Sequence, residues 1–89
     1  MDEQVRRRME LWDVYLDDAK TLAREAAEGG IQPFQILLQD VKTGLSQTLN
    51  CRYIGIGLST DGGKRIVIVT PGFKTRFFDA MQFNYTLLK

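Results

Sequence analysis

The fold of this chain is decided by residues 52–70, which read RYIGIGLSTDGGKRIVIVT. Ile54, Ile56 and Leu58 occupy alternate positions, which is the period of a strand with one buried face. The Thr-Asp-Gly-Gly segment that follows is a strong turn signal. The run Ile-Val-Ile-Val comes next, and both of its faces are β-branched. Residues 52–70 therefore predict an antiparallel hairpin whose second strand is apolar on both faces.

Two glycines, Gly55 and Gly57, interrupt the first of these strands. Glycine inside a strand marks a place where another backbone or an aromatic ring approaches closely. A phosphate-binding loop would need a helix after the glycines, whereas here another strand follows. We therefore expect close packing at Gly55 and Gly57 and no phosphate loop.

Upstream of the hairpin, residues 2–28 predict one long amphipathic helix. Its apolar residues are spaced alternately four and three apart, as in a heptad seam: Val5, Met9, Trp12, Leu16, Ala19, Ala23 and Ala26. Leu11, Tyr15 and Leu22 widen this seam into a broad apolar face. Gly29-Gly30 predicts the end of the helix, because glycine adopts the left-handed C-cap conformation without penalty.

Two further segments allow alternative predictions. In residues 33–43, Phe34, Ile36 and Leu38 alternate as in a strand, although helical spacing after Pro33 competes. We favour a strand, a turn at residues 40–44 and a second strand, because the central hairpin needs an antiparallel neighbour. The alternation in residues 77–88 predicts one long final strand, and a short helix over residues 74–82 is the alternative.

These elements predict a single α+β domain over residues 1–89. A helix in residues 1–30 packs on a three- to four-stranded antiparallel β-meander in residues 31–89. One helix covers only one face of a sheet, so the second apolar face needs another cover. A second copy of the chain is the simplest cover, and we expect a homodimer or larger homo-oligomer. The expected interface residues are Trp12, Tyr15, Val67, Val69, Phe83 and Tyr85.

The chain contains no histidine and a single cysteine, Cys51. It therefore has no Ser-His triad, no Cys-His dyad and no thiolate zinc site. We expect no catalytic residues, no metal and no cofactor, and hence a protein that is not an enzyme. A lone cysteine and an N-terminus that lacks a signal peptide favour the cytoplasm. No apolar run is long enough to span a membrane, so we expect no membrane partner.

Charge is distributed unevenly along the chain. Residues 1–28 hold eight acidic and five basic side chains, whereas residues 29–89 hold three acidic and seven basic ones. Sheets that combine cations with aromatic rings bind single-stranded nucleic acid, although nucleic-acid binders are usually more basic than this. The expected partner-binding residues are Arg52, Tyr53, Lys64, Arg65, Lys74, Arg76 and Phe78.

Three functional hypotheses follow. The first is a non-enzymatic interaction protein that self-associates and binds a macromolecular partner, most simply a protein, as an inhibitor or adaptor. Small proteins of this class include those carried by phages and mobile elements. The second is single-stranded nucleic-acid binding through the basic aromatic sheet. The third is binding of a small anionic ligand at a dimer interface. Tyr53, Phe77 and Tyr85 would line the pocket, and Arg52 or Arg65 would hold the ligand.

Overall fold

The structure, a computed structural model, describes the backbone of residues 3–88 and the side chains of residues 11–88. Its elements in chain order are α1 (Glu3–Glu28), β1 (Phe34–Asp40), β2 (Ser46–Cys51), β3 (Tyr53–Leu58), β4 (Lys64–Val69), β5 (Thr75–Asp79) and β6 (Phe83–Leu88). The strands form two three-stranded antiparallel sheets: sheet A has the order β2-β1-β6, and sheet B has the order β3-β4-β5. The predicted α+β class is confirmed, but two sheets replace the expected single meander of three or four strands.

The central hairpin lies where the sequence predicts it. Tyr53 pairs with Val69 and Leu58 pairs with Lys64, and Gly62 in the turn has a φ of 84°. The preferred prediction for residues 33–43 is also correct, because β1 pairs with β2 across a turn in which Gly44 has a φ of 75°. A positive φ strains any residue with a Cβ atom, which explains glycine at both positions.

The chain passes from one sheet to the other at two places. At Arg52, β2 leads directly into β3, and the Arg52 N–H donates to the Val69 carbonyl at 2.7 Å. After β5, Asp79 accepts a hydrogen bond from the Met81 N–H at 2.9 Å and so turns the chain towards β6. The predicted single strand over residues 77–88 is therefore wrong, and so is the alternative helix over residues 74–82.

The two sheets pack face to face over an apolar core. Sheet A contributes the buried residues Ile36, Leu38 and Cys51, and sheet B contributes Ile66 and Ile68. These side chains come from one face of each sheet, because strand neighbours two apart share a face. The centres of both inner faces are therefore buried within one chain.

The helix covers the opposite face of sheet B. Ala19 and Ala23 are buried there against Val69, and Tyr53 and Phe73 flank them. At Gly57, an added Cβ atom would lie only 2.7 Å from the Tyr15 ring, and at Gly55 only 2.6 Å from the Tyr15 hydroxyl oxygen. The predicted close approach at both glycines is confirmed.

The helix phase is confirmed only in part. Ala19 and Ala23 of the seam are buried, and Leu16 is half-buried. Leu11 and Leu22, which were expected to widen the apolar face, are exposed, because only a narrow stripe of the helix contacts the sheet: Trp12, Tyr15, Ala19 and Ala23. The side chains of Val5 and Met9 lie outside the described residues.

Strand β4 shows why a second copy is not needed to cover sheet B. Ile66 and Ile68 face sheet A, whereas Val67 and Val69 face the helix, and all four are buried within one chain. The two-sided apolar strand therefore gives no reason to expect a homo-oligomer. Val67 and Val69 are also removed from the expected interface, because the helix covers them.

Candidate interaction surfaces

The expected partner-binding residues lie at opposite ends of sheet B. Lys64 and Arg65 begin β4, whereas Tyr53 pairs with Val69 at its far end, next to Arg52. The remaining members, Lys74, Arg76 and Phe78, lie in and after the β4–β5 turn, and Phe78 packs against the inter-sheet core. These residues therefore do not form one basic aromatic surface.

Arg65 stabilises the hairpin turn. Its Nη2 atom lies 3.0 Å from Asp61 Oδ2 in an ion pair. Asp61 also accepts hydrogen bonds from the Ser59 hydroxyl and from the Gly63 N–H. The pKa of Asp61 is held below its ordinary value, mainly by the hydrogen bond from Ser59. The hydrogen bond from Gly63 and the nearby charge of Arg65 lower this pKa further. The Arg65 guanidinium is thus engaged in local structure.

A second group, the Phe73 cluster, consists of Arg24, Arg52 and Phe73. The guanidinium carbons of Arg24 and Arg52 lie 5.9 and 5.6 Å from the centroid of the Phe73 ring, within cation–π range. Arg52 Nη1 donates to the Ile31 carbonyl at 3.1 Å, and its buried Nε has no hydrogen-bond partner. Among residues 11–88, the ion pair found is Arg65–Asp61, so neither arginine of the cluster is neutralised there.

Phe73 adopts an unusual backbone conformation in this cluster. Its φ is 61°, in the left-handed region that a bulky side chain rarely occupies. Packing of its ring against Ala19, Ala23 and Val69 offsets this strain. Sequence reasoning missed Arg24 because it lies outside the predicted apolar face of the helix, where no local signal connects it to residue 73.

A tyrosine pair lies between the helix and sheet B. The hydroxyl oxygens of Tyr15 and Tyr53 are 3.2 Å apart. Burial raises the pKa of Tyr15, and the hydrogen bond with Tyr53 raises this pKa further. The pair therefore fixes the helix on the sheet through a polar contact in which one hydroxyl donates a hydrogen bond to the other.

The other expected interface residues are internal contacts as well. The Trp12 ring packs on Phe77 with centroids 5.4 Å apart and on Tyr15 at 6.0 Å. Phe83 and Tyr85 pack against the inter-sheet core. Tyr85 thus lies in a different layer from Tyr53 and Phe77, so the three do not line one ligand pocket.

The solvent side of sheet A, which we name the neutral face, carries no charged residue. It comprises nine positions in three rows: Asn50-Gln35-Leu88, Thr48-Leu37-Thr86 and Ser46-Gln39-Asn84. The seven amide and hydroxyl side chains are all exposed. Ordinary soluble surfaces place charges at about a quarter to a third of their positions. Depletion of charge is instead typical of protein–protein interfaces.

Both edges of sheet A are open. Within residues 3–88, no strand pairs with the outer edge of β2 or of β6. Neither strand contains a charged residue, although edge strands are usually protected by lysine, proline or bulges. In the sequence, the lack of charge in β2 and β6 is visible as uncharged polar residues that alternate with apolar ones. The charge counts over residues 1–28 and 29–89 do not show it, because they average over many strands.

An apolar groove, which we name the β3–β6 seam, runs between the edge strands of the two sheets. One depression of about 400 Å³ is lined by Phe34, Ile54, Leu87 and Leu88. A second depression of about 240 Å³ lies beside it and includes Ile56 and Tyr85 in its lining. Ile56 and Leu87 remain 52% and 60% exposed, so the two sheets leave apolar surface uncovered here.

The groups able to support chemistry are few. Cys51 is buried, and burial raises the pKa of its thiol to about 11, with Arg76 opposing that shift. In the part of the chain whose side chains are described, no three acidic or cysteine residues cluster closely enough to hold a metal ion. The described helix is not apolar enough over its length to cross a membrane.

No protein-family model, curated protein or solved structure matches this chain. The class is therefore defined by the architecture itself, an α+β domain of two three-stranded sheets with one helix on the outer side of sheet B.

Proposed function

We propose that this chain is a non-enzymatic interaction protein that self-associates and binds a macromolecular partner as an inhibitor or adaptor. The observation that carries the proposal is the neutral face, with nine uncharged positions between two open edge strands. Short amide and hydroxyl side chains form adaptable hydrogen bonds across an interface, and no charge has to be desolvated when they are buried. The absence of histidine from the sequence supports the non-enzymatic part.

An uncharged surface of this kind fits a protein partner. Thr48 and Thr86 flank Leu37 in the middle row, so an apolar centre is surrounded by polar groups. Protein interfaces share this arrangement of an apolar core with a polar rim. The partner surface that complements it is flat and weakly charged.

One added charge tests the proposal. Thr48→Lys introduces a cation in the middle row, where Thr48 is exposed, so the fold is expected to survive. Affinity capture from host lysate, after nuclease treatment, should retain a specific protein with the wild type and lose it with Thr48→Lys. Thr21→Lys, at an exposed position of the helix, is the matched control and should retain that protein. Equal capture by all three chains would contradict the use of the neutral face.

The Phe73 cluster favours a second candidate function, the binding of an anionic group such as a nucleic-acid phosphate. Two guanidiniums held on one ring, without a carboxylate partner among residues 11–88, suit a phosphate. If this function operates, oligonucleotide affinity should fall steeply with salt. Arg24→Gln should reduce the salt dependence, whereas Lys20→Gln, one turn earlier on the helix, should leave it unchanged. No binding at low salt would exclude this candidate.

A further inference from the structure

Strand β6, an edge of sheet A, is where the self-association proposed above would take place, and its pairing as described below rests on that proposal. Three features coincide there: an outer edge without a pairing strand in the described chain, a sequence without charge, and the adjacent β3–β6 seam. Of the other edge strands, β5 carries Arg76 and Asp79, and β3, which has no charge and also borders the seam, is packed against the helix on its outer face.

We propose that β6 of one chain pairs antiparallel with β6 of a second copy, so that the two copies form a symmetric dimer with a continuous six-stranded sheet. A two-fold axis perpendicular to the sheet keeps both neutral faces on the same side of the sheet. The main-chain groups along the open edge supply the hydrogen bonds, as in other forms of strand addition.

The side chains of β6 are complementary to themselves in this arrangement. With the axis at Thr86, each Tyr85 lies opposite Leu87 of the second copy on the inner face, and the two Thr86 residues face each other on the neutral face. Aromatic–aliphatic and Thr–Thr pairs both stabilise adjacent strands. Leu87, now 60% exposed, gains an aromatic cover, and the seams of the two copies are brought together.

The absence of charge makes a second copy an acceptable occupant. A strand that pairs with itself places any charge near the two-fold axis close to its own like charge, which is destabilising. Residues 83–88 contain only Phe, Asn, Tyr, Thr and Leu, so no such repulsion arises. Strand β2 is uncharged too, but its inner row of Gln47, Leu49 and Cys51 includes no large exposed apolar residue. Self-pairing at β6 therefore buries more apolar surface than self-pairing at β2.

Disulfide trapping tests the pairing directly in the full-length chain. Residues opposite each other in adjacent strands have Cα atoms about 4.5 to 5.5 Å apart, within the range that a disulfide spans. Thr86→Cys should therefore form a covalent dimer on mild oxidation, and Thr48→Cys on β2 is the matched control that should not. Cys51 is buried and should stay out of the reaction. Light scattering of the unmodified chain is measured alongside.

The outcomes separate the two levels of the proposal. A mass twice that of the chain together with trapping at Thr86→Cys supports β6 pairing. The same doubled mass with trapping at Thr48→Cys instead overturns β6 pairing and leaves self-association standing. A monomer that traps at neither position overturns self-association itself. Capture of a partner protein through the neutral face is measured independently and can succeed in all three cases.

Discussion

Gly57 illustrates how a single missing side chain positions the helix. Its neighbour across the interface is the Tyr15 ring, and a Cβ atom at residue 57 would lie within 2.7 Å of that ring. Such a distance is a clash that only a shift of the ring or the helix relieves. The sequence reveals this contact through glycine's presence in an otherwise β-prone strand, but not the identity of the ring.

Substitution of Gly57 tests this packing. Gly57→Ala should lower the free energy of unfolding by about 1–3 kcal/mol, the usual cost of overfilling a packed interface. Gly72→Ala is the control, because the nearest atom to its added Cβ is 4.0 Å away, and it should change stability by no more than about 0.5 kcal/mol. Urea unfolding measures both. Equal effects would mean that the helix does not approach β3 as described.

The Tyr15–Tyr53 pair makes stability depend on alkaline pH. Folding raises the pKa of Tyr15, so its stabilising contribution is intact below the ordinary tyrosine pKa of 10.0 and is lost as the pH rises through the folded value. Tyr15→Phe removes the hydroxyl and should cost about 0.5–1.5 kcal/mol near neutral pH. The wild type should then lose more stability than Tyr15→Phe as the pH rises above 10.0, the ordinary tyrosine pKa. Parallel losses in urea unfolding would refute this role.

At the scale of elements, the helix contacts sheet B through a narrow stripe. Ala23 is fully buried, whereas its neighbour Leu22 is exposed. Ala23→Leu should therefore overfill the interface with Val69 and Phe73 and destabilise the chain by about 1–3 kcal/mol. Leu22→Ala removes a larger side chain yet should cost no more than about 0.5 kcal/mol. The reverse order of these two effects in thermal or urea unfolding would show that the helix phase is wrong.

Local chemistry predicts some of these elements and not others. The β3–β4 hairpin and the helix are recoverable from residues 2–70 because turn glycines and apolar periodicity are local signals. The break between β5 and β6 is less visible, because Asp79 ends the strand through a side-chain bond to the Met81 N–H within a stretch that alternates throughout. The passage between sheets at Arg52 has no glycine or proline to mark it.

The candidate surfaces were harder to predict than the strands. Arg24 and Arg52 are distant in sequence and meet only through Phe73. The rows of the neutral face combine residues from β1, β2 and β6, and β6 joins β1 after an intervening sheet. Composition along the chain therefore located the basic half but not the uncharged face. Sequence position alone does not reveal which residues of three strands share a row.

At the scale of the whole molecule, the helix, sheet B and sheet A contribute differently to the hydrophobic interior. The helix and both faces of sheet B build the hydrophobic interior, and the inner face of sheet A completes it. The outer face of sheet A contributes almost nothing to this core, and yet it carries no charge. This surface, which neither stabilises the core nor carries the charges that favour solubility, is the one that we propose contacts another molecule.

The central claim, that sheet A is the interacting layer and β6 its self-pairing edge, is tested most directly by sedimentation equilibrium of three chains over a dilution series. The wild type should reach twice the chain mass, and Thr48→Lys should do the same because β2 lies away from the axis. Thr86→Lys places two cations together at the axis and should remain a monomer. A wild type that stays monomeric, or a Thr86→Lys chain that dimerises as well as the wild type, would contradict the claim.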